Sequence, residues 1–156
     1  MEIKFRYVFK NKFFSDISFY HLTLKKIEEG IVPTISTSGM HGNGYKLIDR
    51  NRCTELKDKK KKDIYEGDIV SSCGNVSEDS WGKGWKTKKQ PIGKVYWCPP
   101  VFNIKQIKKG LVIRGKEQSE LNLDCYDGLY MWNGETEDLE IVGNIYENPK
   151  LLKEKI

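Results

Sequence analysis

Two lysine-rich stretches carry the side chains best suited to hold a ligand. The first is the run Lys59, Lys60, Lys61 and Lys62, preceded by Lys57 and Asp58. The second is Trp81-Gly82-Lys83-Gly84-Trp85-Lys86-Thr87-Lys88-Lys89. Clustered cations neutralise phosphates, and a tryptophan ring offers a face on which an unpaired base stacks. Lys59, Lys60, Lys61, Lys62, Lys83, Lys86, Lys88 and Lys89, with Trp81 and Trp85, therefore form a candidate nucleic-acid surface. Each group also has a plainer reading. A solvated lysine tip keeps a strand edge from pairing with another chain. Loop tryptophans pack, partly buried, on the domain they border.

Other chemistry finds less support. His21 and His41 could each serve with one of the four cysteines, Cys53, Cys73, Cys98 and Cys125, but no spacing selects a pair. The cysteines form no C-x-x-C pair, so the zinc pattern is missing and free, mostly buried thiols are expected. Glu66/Asp68 and Glu137/Asp138 are carboxylate pairs of the type used in acid–base work. Turn capping accounts for the first and a solvated acidic face for the second. No G-x-S-x-G elbow is present. The glycine-rich stretch 34–44 lacks the G-x-x-x-x-G-K-[ST] phosphate loop and reads as a connector. No catalytic residue, metal ligand or cofactor is assigned, and a non-enzymatic role is expected.

The chain has 156 residues, 38% of them hydrophobic and 12% aromatic, enough for one core and one domain. Charge is unevenly spread. Residues 1–62 hold 14 Lys/Arg and 7 Asp/Glu; residues 63–116 hold 10 and 5; residues 117–156 hold 3 and 10. The balances +7, +5 and −7 sum to the net +5. Such a basic body can bind polyanions, or the acidic part can lie over it and neutralise it. No apolar run is long enough to span a bilayer, and Met1 to Arg6 lacks a signal-peptide segment. A soluble, cytoplasmic protein without membrane contact is expected.

The elements that would position these groups are strands. Residues 2–9 alternate, with Ile3, Phe5, Tyr7 and Phe9 on one side, as in a half-buried strand. Asn11-Lys12 signals a turn before a second strand over about 16–24. Residues 25–29 have brief helical character, ended by Gly30 and Pro33. Tyr45, Leu47 and Cys53 point inward from a strand over about 45–55. A tip at 57–62 and a strand over about 67–73 complete a hairpin. Gly67 suits a positive φ in the Glu66-Gly67-Asp68 turn, and Asp68 can bond nearby backbone N–H groups. Residues 74–90 are too polar and glycine-rich to assign. Residues 92–98 read as a strand, stopped by Pro99-Pro100. Residues 101–107 and 110–114 read as a strand pair about Lys108-Lys109-Gly110, and residues 139–145 close the sheet. Asn148 and Pro149 suit the N-cap and first turn of a short helix over about 149–155.

Two blocks carry a family resemblance. One is Thr54-Glu55-Leu56-Lys57-Asp58 followed by Ile64-Tyr65-Glu66-Gly67-Asp68-Ile69-Val70; the other is Ile141 to Leu152, with Gly143, Asn144, Asn148 and Pro149. Together with the opening Ile3-Lys4-Phe5-Arg6, and in this order, they resemble the YopX family of phage and prophage proteins. The family usually has Gly where Glu55 stands, and a Gly in the turn occupied here by Lys60 and Lys61. The resemblance implies a mainly β protein built on a small SH3-like β-barrel, encoded by a phage or prophage. It also implies a single domain over 1–156, with a barrel core at about 45–148 and an N-terminal extension at about 1–44 packed on it. It carries no activity. The expected function is a non-enzymatic interaction module that binds a host or phage protein or itself as a homo-oligomer. The alternative is a nucleic-acid-binding accessory protein using the basic, tryptophan-containing face.

Overall fold

The computed structural model describes residues 2–31, 44–72, 84–98, 101–121 and 139–153. The chain is mainly β and divides into two compact units, Met1–Glu55 and Leu56–Ile156.

The N-terminal unit is organised by its first strand. β1 (Lys4–Asn11) pairs antiparallel with β2 (Ile17–Thr23) on one side and β3 (Tyr45–Lys57) on the other. Tyr7, Phe9 and Leu22 form its core, flanked by Phe5, Ile27, Tyr45 and Leu47. The half-buried reading of β1 needs correcting, because Arg6 and Val8 on the opposite face are buried too. Arg6 can be buried because Asn51 Oδ1 accepts from its Nε and Nη2 at 3.2 and 3.1 Å, and its guanidinium lies over the Phe19 ring. α1 (Leu24–Glu28) follows β2, and the Thr23 hydroxyl caps it by accepting from Lys26 N–H. A bulge in β3 between its partners Val8 and Phe9 leaves Ile48 facing solvent.

The C-terminal unit begins with the end of β3, which forms a hairpin with β4 (Asp63–Tyr65). The sequence reading paired the 45–55 strand with 67–73 instead. The chain turns too early for that. Gly67 has φ +82°, and Asp68 Oδ2 accepts from Tyr65 N–H at 2.8 Å, so the ladder stops at Tyr65. β5 (Asp68–Ser72) then enters another sheet, in which β11 (Leu139–Asn144), β5, β7 (Ile92–Cys98) and β8 (Val101–Lys108) lie side by side. Ile64, Val70, Val95, Phe102 and Leu139 form its core, with Leu56, Trp97, Ile104 and Ile141 packed around them.

A third sheet orders β10 (Glu117–Leu121), β9 (Gly110–Arg114) and β6 (Lys86–Lys89). The expected 101–107/110–114 pair is thus a misreading. Both strands exist, but β8 pairs with β7, and β9 pairs with β6 and β10. β6–β7 and β8–β9 form one long two-stranded ribbon that bends where Pro91 meets Gly110. A Cβ on Gly110 would lie 2.6 Å from Lys89 O and 2.8 Å from Pro91 Cδ, so only glycine fits. The polar segment left unassigned contains β6, which forms through its ladder with β9. The described strands form no closed barrel.

The C-terminal helix is a single 3-10 turn, Pro149–Leu152, with Pro149 in the first turn as expected. Asn148 does not cap it with its side chain. That side chain turns back and accepts from Asn144 N–H at 3.2 Å. No helix among the described residues is long and apolar enough to cross a membrane.

Candidate functional site

The lysine tip is built around Asp58, a buried carboxylate in a charged turn. Asp58 Oδ1 accepts from Lys60 N–H at 2.8 Å and Lys62 N–H at 2.9 Å. Its Oδ2 accepts from Ile141 N–H at 3.2 Å, and Lys59 N–H donates to Leu139 O at 2.8 Å. The tip is therefore fastened to β11. Its charges are also largely answered. The Glu140 carboxylate on β11 pairs with both Lys59 and Lys60, the latter at 2.5 Å. Lys57 pairs with Asp63 at 2.6 Å. The hydrogen bonds from Lys59 and then Lys60 hold the Glu140 carboxyl down at about 2. Lys61 takes a left-handed φ of +61°, and the Lys62 side chain is exposed.

The second group lies elsewhere in the unit. Trp81 and Lys83 fall outside the described residues. Trp85 is half-buried, and the Arg114 guanidinium sits 5.1 Å from its ring centroid. One ring face is thereby occupied by a cation of the same chain. Lys86, Lys88 and Lys89 are exposed on β6, against β9 rather than β11. Of the cysteines, Cys53 is a buried free thiol and Cys98 an exposed one; Cys73 and Cys125 lie outside the described residues, as do His41 and the Glu137/Asp138 pair.

The motif residues of the two resemblance blocks meet. Asp68 and Asn144 are register partners across β5 and β11, and Ile145 N–H donates to Gly67 O at 3.0 Å. Asn144 Oδ1 accepts from Tyr146 N–H and Glu147 N–H, while its Nδ2 donates to Glu147 at 2.6 Å. Gly143 must be small, because a Cβ there would come within 2.8 Å of Asn148 Cγ. Tyr65, Gly67, Asp68, Gly143, Asn144, Asn148 and Pro149 thus hold one turn against another. Their contacts are with backbone and with each other, which is a scaffold's work.

The surface the sequence reading passed over is the β1–β2 turn of the N-terminal unit. Phe13 and Phe14 stand there 75% and 62% exposed. Asn11 is buried and its Oδ1 accepts from the N–H of both, at 2.8 and 3.2 Å. Asn11 N–H donates to Asp16 O, Lys12 N–H donates to Gly44 O, and the Tyr45 hydroxyl donates to the Asp16 carboxylate. That last bond raises the Tyr45 hydroxyl above its ordinary range. The turn is fixed at four points, and it offers two adjacent aromatic rings. Ile3, Tyr20, Ile31 and Ile48 are further exposed apolar residues of the same unit. The signal was the run Asn11-Lys12-Phe13-Phe14, in which an Asx turn forces a pair of phenylalanines outward.

Comparison with known proteins places these features. The family model described as YopX protein matches residues 20–153, most of the chain. The chain belongs to the YopX family. No curated protein matches it. Among solved structures it is similar to the crystal structure of protein EF1440 from Enterococcus faecalis. That match has 13% identity and a TM-score of 0.45, and it covers 97% of this chain and 98% of that one.

Proposed function

We propose that this YopX-family protein is a non-enzymatic interaction module that binds another protein through Phe13 and Phe14. The observation that carries the proposal is the fixed turn that keeps two phenylalanines in water. Exposing adjacent aromatic rings is unfavourable for a monomer, and large aromatic anchors dominate the energetics of protein interfaces. Holding the backbone rigid reduces the ordering cost of binding. The partner is a host or phage protein, or a second copy of this chain, in keeping with a phage or prophage origin.

A photo-crosslinking amino acid at Phe13, in cells that carry the gene, tests this. A discrete protein adduct is expected from position 13 and none from position 25, an exposed lysine on α1. Equal labelling from both positions, or none from either, refutes the proposal.

For the C-terminal unit we propose a small SH3-like barrel. Support comes from the ribbon bent at Pro91 and Gly110, since one strand pair that serves two sheets is how barrel corners are made. Closure requires bonded edges. Slow amide exchange along β8 and β10 would agree with it, and fast exchange along both would refute it.

A further inference from the structure

We infer that the face of β7 and β8 turned away from the core, continued onto β6, binds the phosphate backbone of duplex nucleic acid. This surface is separate from the phenylalanine turn and does not depend on it.

The first observation is compositional. Residues 80–116 contain ten Lys or Arg and no Asp or Glu. The bent ribbon lies within that acid-free stretch. The second is register. Val95 and Ile104 are paired on the core side, so Lys94 and Lys105, which are direct partners, share the opposite face. Like charges directly opposite on an antiparallel pair are unfavourable. The bulge beside Ile92 brings Lys108 opposite Ile92, one row along.

The third observation concerns counter-charges. Glu140 is the one carboxylate on this face among the described residues of the four strands, and it stands on β11 with Lys59 and Lys60. Arg114 and Lys109 are answered by Glu117 and Glu120 of β10. Lys94, Lys105 and Lys108 have no ion-pair partner among the described residues, nor do Lys86, Lys88 and Lys89. The longest lysine run in the sequence is thus internally neutralised, whereas the scattered lysines of the ribbon are aligned and unanswered. An anion with repeated charges would relieve the Lys94–Lys105 repulsion and bridge rows of the sheet. Duplex nucleic acid has the higher charge density, and with Arg114 over Trp85 a stacking platform for single strands is not what this surface offers.

The test is titration of a labelled DNA duplex against the full chain, by anisotropy, over a range of salt. Contacts from Lys94, Lys105 and Lys108 give a slope of about −2.7 in log K against log salt, at about −0.9 per phosphate. Affinity then falls roughly 40-fold between about 0.05 and 0.2 M salt. Lys94→Gln/Lys105→Gln is expected to reduce the slope to about −0.9. Lys94→Arg/Lys105→Arg keeps the wild-type slope and guards against a folding defect, and Lys59→Gln/Lys60→Gln leaves binding unchanged. The inference is overturned by no duplex binding at the lower salt, by a glutamine variant with the wild-type slope, or by tighter binding of a single strand than of the duplex.

Discussion

Replacing Asp58 should unfold more of this protein than an acidic residue in a lysine-rich turn would ordinarily suggest. Three backbone N–H groups donate to its carboxylate, those of Lys60, Lys62 and Ile141. In Asp58→Ala all three lose their acceptor. The tip lysines are exposed, so their N–H groups can turn to water, and about 1 kcal/mol each is a fair charge-assisted net loss. Ile141 is partly buried in β11, and its N–H is left unsatisfied at a cost of about 1–3 kcal/mol. The sum is about 3–5 kcal/mol, a large part of a small domain's stability. Asp58→Asn keeps one carbonyl acceptor and should cost roughly half as much. Urea unfolding, with the slope unchanged between variants, measures both. A loss below about 1 kcal/mol for Asp58→Ala would show that the tip is not fastened to β11 in this way.

Other consequences follow from the same geometry. Glu140 titrates lower folded, at about 2, than the roughly 4.3 of an unpaired glutamate, so its contribution is present above pH ~4.3 and lost as pH falls toward 2. The urea-midpoint difference between wild type and Glu140→Gln should hold steady above pH ~5 and shrink across that window; a difference that does not change with pH refutes the pairing with Lys59 and Lys60. Gly143→Ala should destabilise by about 1–3 kcal/mol through its collision with Asn148, and adding Asn148→Ala should recover part of the loss; strict additivity in the double-mutant cycle would count against the contact. Lys61→Gly should raise the urea midpoint, by up to about 1 kcal/mol, because Lys61 has φ +61° and glycine is free of that strain; a fall in stability would contradict it.

Much of the strand content was legible because alternation and turn chemistry act locally. The reading of 92–98 matches β7, and those of 16–24, 67–73 and 139–145 overlap β2, β5 and β11 closely. Partnerships were harder, since Lys108-Lys109-Gly110 reads as a hairpin turn until Gly110 is seen against Pro91. The family's glycine at the place of Glu55 also has a physical sense, because Glu55 has φ +67°. Residue types suggested the lysine tip as a ligand surface. Its counter-charge, Glu140, lies some 80 positions along the chain, and no local pattern joins them. The phenylalanine turn was written plainly in the sequence, but two aromatics in a strand-rich region read as core. Only their exposure distinguishes them.

The account turns on whether Phe13 and Phe14 are contact residues. The most direct measurement is the affinity of the protein captured through position 13, or the self-association constant if that protein is a second copy. Wild type and Phe13→Ala/Phe14→Ala should be compared side by side. A pair of aromatic anchors worth about 2 kcal/mol or more each gives a loss of roughly 1,000-fold, with the thermal midpoint unchanged because both rings stand in solvent. An affinity within about 3-fold of wild type would contradict it.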